Sequence, residues 1–440
     1  AYLDDTVVHV ALPKIQSSLG ASVSGLQWIL NAYTLSAASL MLVSGILGDR
    51  YGRKRIFLAG LIVFTIASAV CGFASNLEIL IVGRTLQGIG AAALIPGSLA
   101  ILTDTFPAPK EKAKAIGIWS ALAGLALLAG PAIGGLLVDT LGWQSVFFVN
   151  IPMGAIAFTM TSRVVKEELL PIKQRLNVAK LLLQPLHLFK DSTFAVVNIV
   201  RGLVFFALVS LLFLFSLFLQ QVQGYSAVET GLRLLPMNGA FIVGLFLSGW
   251  FAARVGWRLT VATGLLGAGV VMLSFIRVHA DTAYGSFVWN IVVSSFGSGL
   301  ALAPLAAAAM NSAPAPQAGI AAAVINITDR VGGFLGIALQ GTVLSQRLAS
   351  DLARSLSTWN IPSNLQAQLV ADALHGGTKV PKVLPAGIPT LAFQQAYSNA
   401  FVSGMHVAVF VASLALLAGF LLILMVGHQQ RRGDRPSIIP

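Results

Sequence analysis

Long apolar runs make up most of this chain, and polar residues gather in the short gaps between them. Twelve runs stand out: 1–12 (incomplete), 24–47, 56–74, 78–103, 113–138, 143–162, 192–220, 226–252, 257–278, 284–309, 317–345 and 399–427. About 20 apolar residues in a helix cross the hydrocarbon of a bilayer. Every run but the first approaches or exceeds that length, so the pattern predicts an all-α membrane protein. The runs divide six and six. Residues 1–162 form a first bundle, 163–191 a polar linker and 192–427 a second bundle. The second bundle contains an outer loop, 346–398, expected to be partly helical, and 428–440 is a tail. The first run, Ala1 to Leu12, is too short to cross, and no signal-peptide pattern precedes it. It reads as a truncated helix lacking about ten residues by span arithmetic.

Composition agrees with this reading. The 440 residues are 56% hydrophobic and only 10% charged, against about 25% charged in soluble domains. A net charge of +12 would suit a nucleic-acid partner, but its placement argues otherwise. Gly45 to Arg55 is a short loop between two spans, holding Asp49 among four bases, Arg50, Arg53, Lys54 and Arg55. Basic loops stay on the cytoplasmic side. With this loop placed there, alternation puts eighteen of the 28 Lys/Arg inside and seven outside. Three more, Arg84, Arg201 and Arg330, fall within spans. The basicity is therefore topological, and both termini are expected in the cytoplasm with the spans in the cell membrane. The single Cys71 supports no disulfide or metal site, and the six histidines are scattered singly. No phosphate-loop pattern occurs, and no G-x-S-x-G elbow follows a plausible strand. No enzyme chemistry, cofactor or metal is expected.

The spacing Gly45, Asp49, Arg50, Gly52, Arg53, Lys54 closely resembles the signature loop of the major facilitator superfamily. On its own it is also a basic loop that merely sets orientation. Further motifs narrow the resemblance to the long-chain, usually fourteen-span drug:proton antiporters, a family that includes quaternary ammonium and multidrug efflux pumps. In LDDTVVHVALP, the residues Leu3, Asp4, Thr6, Val8, Val10, Ala11, Leu12 and Pro13 match that family's first-helix pattern. His9 stands where Asn is usual, and Asp5 adds a second acid. In span four, Arg84, Gln87 and Gly88 resemble the R-x-x-Q-G motif, whose arginine the resemblance implicates in proton coupling. In span five, Gly130, Pro131, Gly134 and Gly135 match the antiporter motif G-x-x-x-G-P-x-x-G-G, with Ala126 in place of its first glycine. Trp143 to Pro152, WQSVFFVNIP, is similar to the family's start of span six. Gly249, Arg254, Gly256 and Arg258 repeat the first-half loop with Ala253 in place of Asp49, as a two-bundle carrier would. One departure is the linker, which has no room for even one of the two extra spans that such relatives insert there.

An acid inside a span is costly and normally faces a cavity or a partner. Asp4 is the expected proton carrier, with Arg84 beside it and proton and cargo competing there. Asp5 and Asp329 are further proton-coupling candidates. A hydrated position at the mouth is the alternative for Asp4 and Asp5, and neutralisation of Arg330 or Arg201 the alternative for Asp329. Relatives tend to have Arg-Gln where this chain has Asp329-Arg330. Arg201 is expected to snorkel to the surface. Gln27, Trp28, Asn31 and Tyr33 in span two, with Gln87 and Asn326, are expected to line a substrate cavity, although Trp28 equally suits an interfacial anchor. Asp49 and the loop bases are expected to stabilise the outward-facing state by bridging the bundles.

The resemblance implies a monomeric carrier, a single chain in contact with membrane lipid, that exports small lipophilic and often cationic compounds in exchange for protons. An exporter of amphiphilic lipids or small metabolites and a non-transporting membrane receptor are the alternatives.

Overall fold

The computed structural model describes residues 2–106, 108–165, 187–314, 317–359, 361–376 and 389–433. Inside a bilayer no water satisfies the backbone, so a spanning segment must close its own hydrogen bonds, which a helix does. The apolar runs fold accordingly, and no strand occurs among the described residues. The first half contains α1 (Tyr2–Leu19), α2 (Val23–Tyr51), α3 (Arg53–Gly72), α4 (Leu77–Thr105), α5 (Pro109–Leu141), α6 (Ser145–Phe148) and α7 (Asn150–Val164). The second contains α8 (Ser192–Leu217), α9 (Ala227–Val255), α10 (Trp257–Leu273), α11 (Tyr284–Ser312), α12 (Ala318–Ser357), α13 (Ser363–Gly376) and α14 (Thr390–Gly433).

Among the described residues, eleven stretches are long and apolar enough to cross a membrane, with α6 and α7 together making one of them. The twelfth position belongs to α1, which carries Asp4, Asp5 and Lys14 and packs inside the first bundle. It continues past the expected limit at Leu12, through Pro13, because Gln16 is buried and spends its amide on Leu374 O, 3.1 Å away. Helix starts are marked by side-chain caps at Ser22, Asn76 and Asp191, and by a capping box of Ser226 and Glu229. Large apolar side chains such as Ile66, Leu122, Phe246 and Trp289 stand mostly exposed on the outer faces, where lipid would cover them.

The two halves repeat one another in detail. A single glycine with positive φ, Gly52 at 102° and Gly256 at 86°, joins α2 to α3 and α9 to α10. An L side chain rarely adopts that backbone conformation, so the turn is as short as it can be only with glycine. Gly60 and Gly264 each lie eight residues further on. Each is pressed against a glycine of the next span. A Cβ at Gly60 would lie 3.0 Å from Gly90 O, and one at Gly264 2.6 Å from Gly297 O. Small residues let these helices meet backbone to backbone. The first bundle packs α1, α2, α3 and α7 around α4 and α5, and the second packs α9, α10, α12 and α14 around α8 and α11.

The bundles meet through α5 and α9, α2 and α12, and α1 and α8. Their contact is tight at one end only. Cβ atoms added at Gly135 or Gly231 would collide with Ala227 O and Pro131 O respectively. Nearer the turn glycines, Gly239 and Gly124 have their closest neighbours across the seam at 3.8 and 3.9 Å, and Gly117 and Gly249 have nothing within 4 Å. Polar ties follow the same gradient. Ser216 Oγ donates to His9 O (2.6 Å), Gln220 Nε2 to Val10 O (3.0 Å) and the Val228 N–H to Asp139 Oδ2 (2.8 Å), all on the tight side. The protein is sealed at the end away from Gly52 and Gly256 and splays open towards them.

The described residues of the outer segment 346–398, expected to be partly helical, are mostly helix. α12 runs to Ser357, α13 follows, and α14 begins at Thr390, nine residues before the expected start of the last span. The surface helix considered for the linker falls on 166–186, and the basic tail beyond 433 likewise lies outside the described residues.

Candidate functional site

Between the bundles lies a cavity of about 360 Å³. Its walls are largely apolar, with Leu30, Met41, Ile95, Phe205, Leu212 and Phe241 among them. Polar residues interrupt them, His9, Asn238 and Ser295 among them, and the charged ones come from few elements. Asp5, Arg84 and Tyr33 face it from the first bundle, and Asn326, Asp329 and Arg330 from α12.

Asp4 is not in that wall. It is fully buried inside the first bundle, where its Oδ2 lies 2.5 Å from Arg84 Nη1. Asn150 Nδ2 donates to Oδ1 at 2.8 Å. Adjacent residues of a helix point about 100° apart, so Asp4 turns into the bundle while Asp5, next to it, turns to the cavity. Arg84 shares both environments. It lines the cavity, donates through Nε to Ile29 O (3.1 Å) and sits over the Tyr33 ring, 4.3 Å from its centroid. Gln87 completes the cluster from behind: its Oε1 accepts from Arg84 Nη1 (3.0 Å), and its Nε2 donates to Ser68 Oγ (2.7 Å). Gln87 is therefore a buried support for Arg84 rather than a wall residue.

A second ion pair belongs to the other bundle. Arg201 is 6% exposed and grips Asp329 with two bonds, Nε to Oδ1 at 3.0 Å and Nη2 to Oδ2 at 2.6 Å. It also donates to Leu302 O at 2.8 Å. The expectation that Arg201 snorkels is wrong, because a buried carboxylate on α12 meets it inside the bundle. A third pair crosses between bundles: Arg330 Nη1 lies 3.0 Å from Asp5 Oδ2 and donates to Oδ1 at 3.2 Å. Among the described residues it is the one ion pair that joins the two halves.

Span two divides its expected cavity residues. Tyr33 lines the cavity, and its hydroxyl has no protein partner. Gln27 lies in the sealed seam, where Nε2 donates to Ile337 O (2.7 Å) and Ala338 O (2.8 Å). Asn31 is buried outside the cavity wall. Trp28 is 51% exposed on the outer face, the position of an interfacial anchor. The three miss the cavity because only one stripe of a helix can face it. Gln27→Leu is expected to weaken the seam by about 1–3 kcal/mol, the cost of leaving buried groups unpaired. Hydrogen exchange over residues 23–30 and 337–341 should quicken; unchanged protection would mean that the amide ties nothing.

The conformational motifs are placed as follows. Arg53 bonds Asp49 (2.9 Å) and Asp104 (2.7 Å), and Lys54 donates to Ser162 O (2.8 Å) and Val165 O (2.6 Å). Arg50 lies over the Tyr51 ring. All of these partners lie on the first half's side; the bridge is expected of the state in which this end is closed, and here the end is open. At this splayed end Gly45 has nothing within 4 Å of an added Cβ. In α5, Gly130 and Gly134 take Thr6 and Val7 of α1, while Gly135 and Pro131 meet α9 at Ala227 and Gly231. Sequence reading did not single out Asn150, although it sits in the span-six motif, and it assigned Arg330 no contact across the seam.

Comparison with known proteins agrees with this architecture. A family model for the Major Facilitator Superfamily matches residues 1–337. The chain is 32% identical to the Multidrug resistance protein Stp of Mycobacterium tuberculosis, over 96% of this chain and 88% of that protein. It is 30% identical to the Tetracenomycin C resistance and export protein of Streptomyces glaucescens, over 94% and 87%. Among solved structures, a bacterial homologue of the human lysosomal transporter Spinster, inward-facing and occupied, superposes with a TM-score of 0.75 at 19% identity, covering 97% of this chain and 94% of that one. With two glycine-hinged halves around a central cavity, and with a family match across most of its length, the chain belongs to the Major Facilitator Superfamily.

Proposed function

We propose that this protein is a proton-coupled multidrug exporter of the cell membrane, working by alternating access with both termini in the cytoplasm. In that orientation the open end of the cavity faces the cytoplasm, ready to take cargo. The observation that carries the reading is Arg84, which touches the cavity on one side and the sealed carboxylate of Asp4 on the other. A buried pair of this kind is costly to keep and costly to break, so protonation of Asp4 would release Arg84 and alter the cavity wall. Proton and cargo then compete through Arg84 rather than at one shared atom. Asp5 and Asp329 are the further carboxylates of the site, and Tyr33 and Asn326 the polar contacts for cargo. Gln27, Gly135 and Gly231 belong to the closing seam. Relatives named for multidrug resistance and for antibiotic export support the cargo class of small lipophilic compounds.

Inverted vesicles with an acid interior test the reading. Adding a lipophilic cationic dye should dissipate the pH gradient as the dye accumulates. Accumulation that is indifferent to the gradient, or no accumulation with any of several such dyes, would remove proton-driven export.

A further inference from the structure

The central charges balance. Three acids, Asp4, Asp5 and Asp329, meet three arginines, Arg84, Arg330 and Arg201. Each acid has its own arginine, and in two of the pairs only one member reaches the cavity, Arg84 in one and Asp329 in the other. Asp4 and Arg84 are 0% and 1% exposed, and Asp329 is held at both oxygens by Arg201. The pair Asp5–Arg330 differs. Its members are 19% and 18% exposed, both line the cavity, and they come from opposite bundles. The fold brings the two into contact from positions 325 residues apart in the chain.

We infer that Asp5 and Arg330 together form a two-headed anchor for amphoteric cargo: an apolar ring system that carries both a cationic group and a carboxylate or similar acid. This rests on the export reading above and narrows its substrate class. A cargo that is only a cation can pair with Asp5, but it leaves Arg330 in an apolar cavity with no free counter-ion, since Asp329 is already held. A cargo that is only an anion leaves Asp5 in the same position. Such a stranded charge is strongly unfavourable. An amphoteric molecule replaces each partner with its own opposite charge and keeps the ledger at zero. Around this anchor, His9 Nδ1, the Tyr33 hydroxyl and Ser295 Oγ are buried, unpartnered and in the cavity wall, so they are available to further polar groups of the cargo.

Rhodamine B and its ethyl ester make a matched pair for the test. The first carries a free carboxylate beside its cationic ring system, and the second is the cation alone. In energised vesicles the native protein is expected to favour rhodamine B in kcat/KM by about tenfold, the factor that about 1.4 kcal/mol carries. Arg330→Gln should bring the ratio to parity. The exchange of Asp5→Arg with Arg330→Asp keeps the pair and should restore the preference, which a merely structural role for Arg330 would not predict. The exchange also serves if Arg330→Gln proves unstable. Export of the ester as fast as rhodamine B by the native protein, or an unchanged ratio in Arg330→Gln, would overturn the inference while leaving proton-driven export intact. Movement of neither dye would overturn both.

Discussion

Replacing Asp4 with asparagine is expected to lower proton-driven export about a hundredfold or more, because breaking a buried ion pair from one side costs about 3–5 kcal/mol. Asparagine keeps the size of the side chain and removes its charge. Arg84, 1% exposed, then keeps Gln87 and Ile29 O as partners but loses its counter-ion. Two effects would be mixed in that variant, loss of stability and loss of the protonatable group. The double variant Asp4→Asn with Arg84→Gln separates them, since it removes both charges and leaves neither stranded. Its melting temperature should recover most of what Asp4→Asn alone loses, whereas export against a gradient should stay absent. Such non-additivity is the signature of a directly coupled pair. Export retained in either variant would take Asp4 out of the proton pathway.

Gly231→Leu should have a comparably large effect by a different route. A Cβ at Gly231 would run into Pro131 O, and the neighbouring contact of Gly135 with Ala227 O is of the same kind. Overpacking in ordinary cores costs about 1–3 kcal/mol when side chains can yield. Here the obstacle is backbone, which yields less, so the two bundles cannot close at this end. Transport should stop with the protein folded. A cysteine introduced at Ser216, which is fully buried in the seam and bonded to His9 O, reports the change. It should resist a membrane-impermeant maleimide in the native background and label readily beside Gly231→Leu. The native Cys71 is buried and gives little background. Slow labelling together with lost transport would mean that the variant fails for another reason.

The fold was largely legible in the sequence because membrane spans announce themselves by length and apolarity, and because glycine patterns mark where helices touch. The repeat of Gly52 at Gly256 anticipated the pseudo-symmetry. The pairing of Asp4 with Arg84 was also anticipated, through motif resemblance. What sequence could not give was direction around each helix. Asp4 and Asp5 are neighbours in the chain, yet one is sealed in a bundle and the other faces the cavity. Gln27 and Tyr33 occupy one span, yet one ties the seam and the other lines the hollow. Arg201 was misplaced for a related reason: snorkelling is the default for a lone cation near a span end, and its partner Asp329 lies 128 residues away. The outer segment is legible only as partly helical, because its amphipathic helices are too polar to resemble spans.

The one-residue turns at Gly52 and Gly256 have a mechanical consequence. Helices joined by a long linker can slide past one another; helices joined by a single residue cannot. Each hairpin is a stiff fork with its prongs fixed at the base. Any rocking that shuts the wide end must therefore swing both prongs of a fork in concert, and extra residues spliced in at either glycine would give the mechanism slack where it has none.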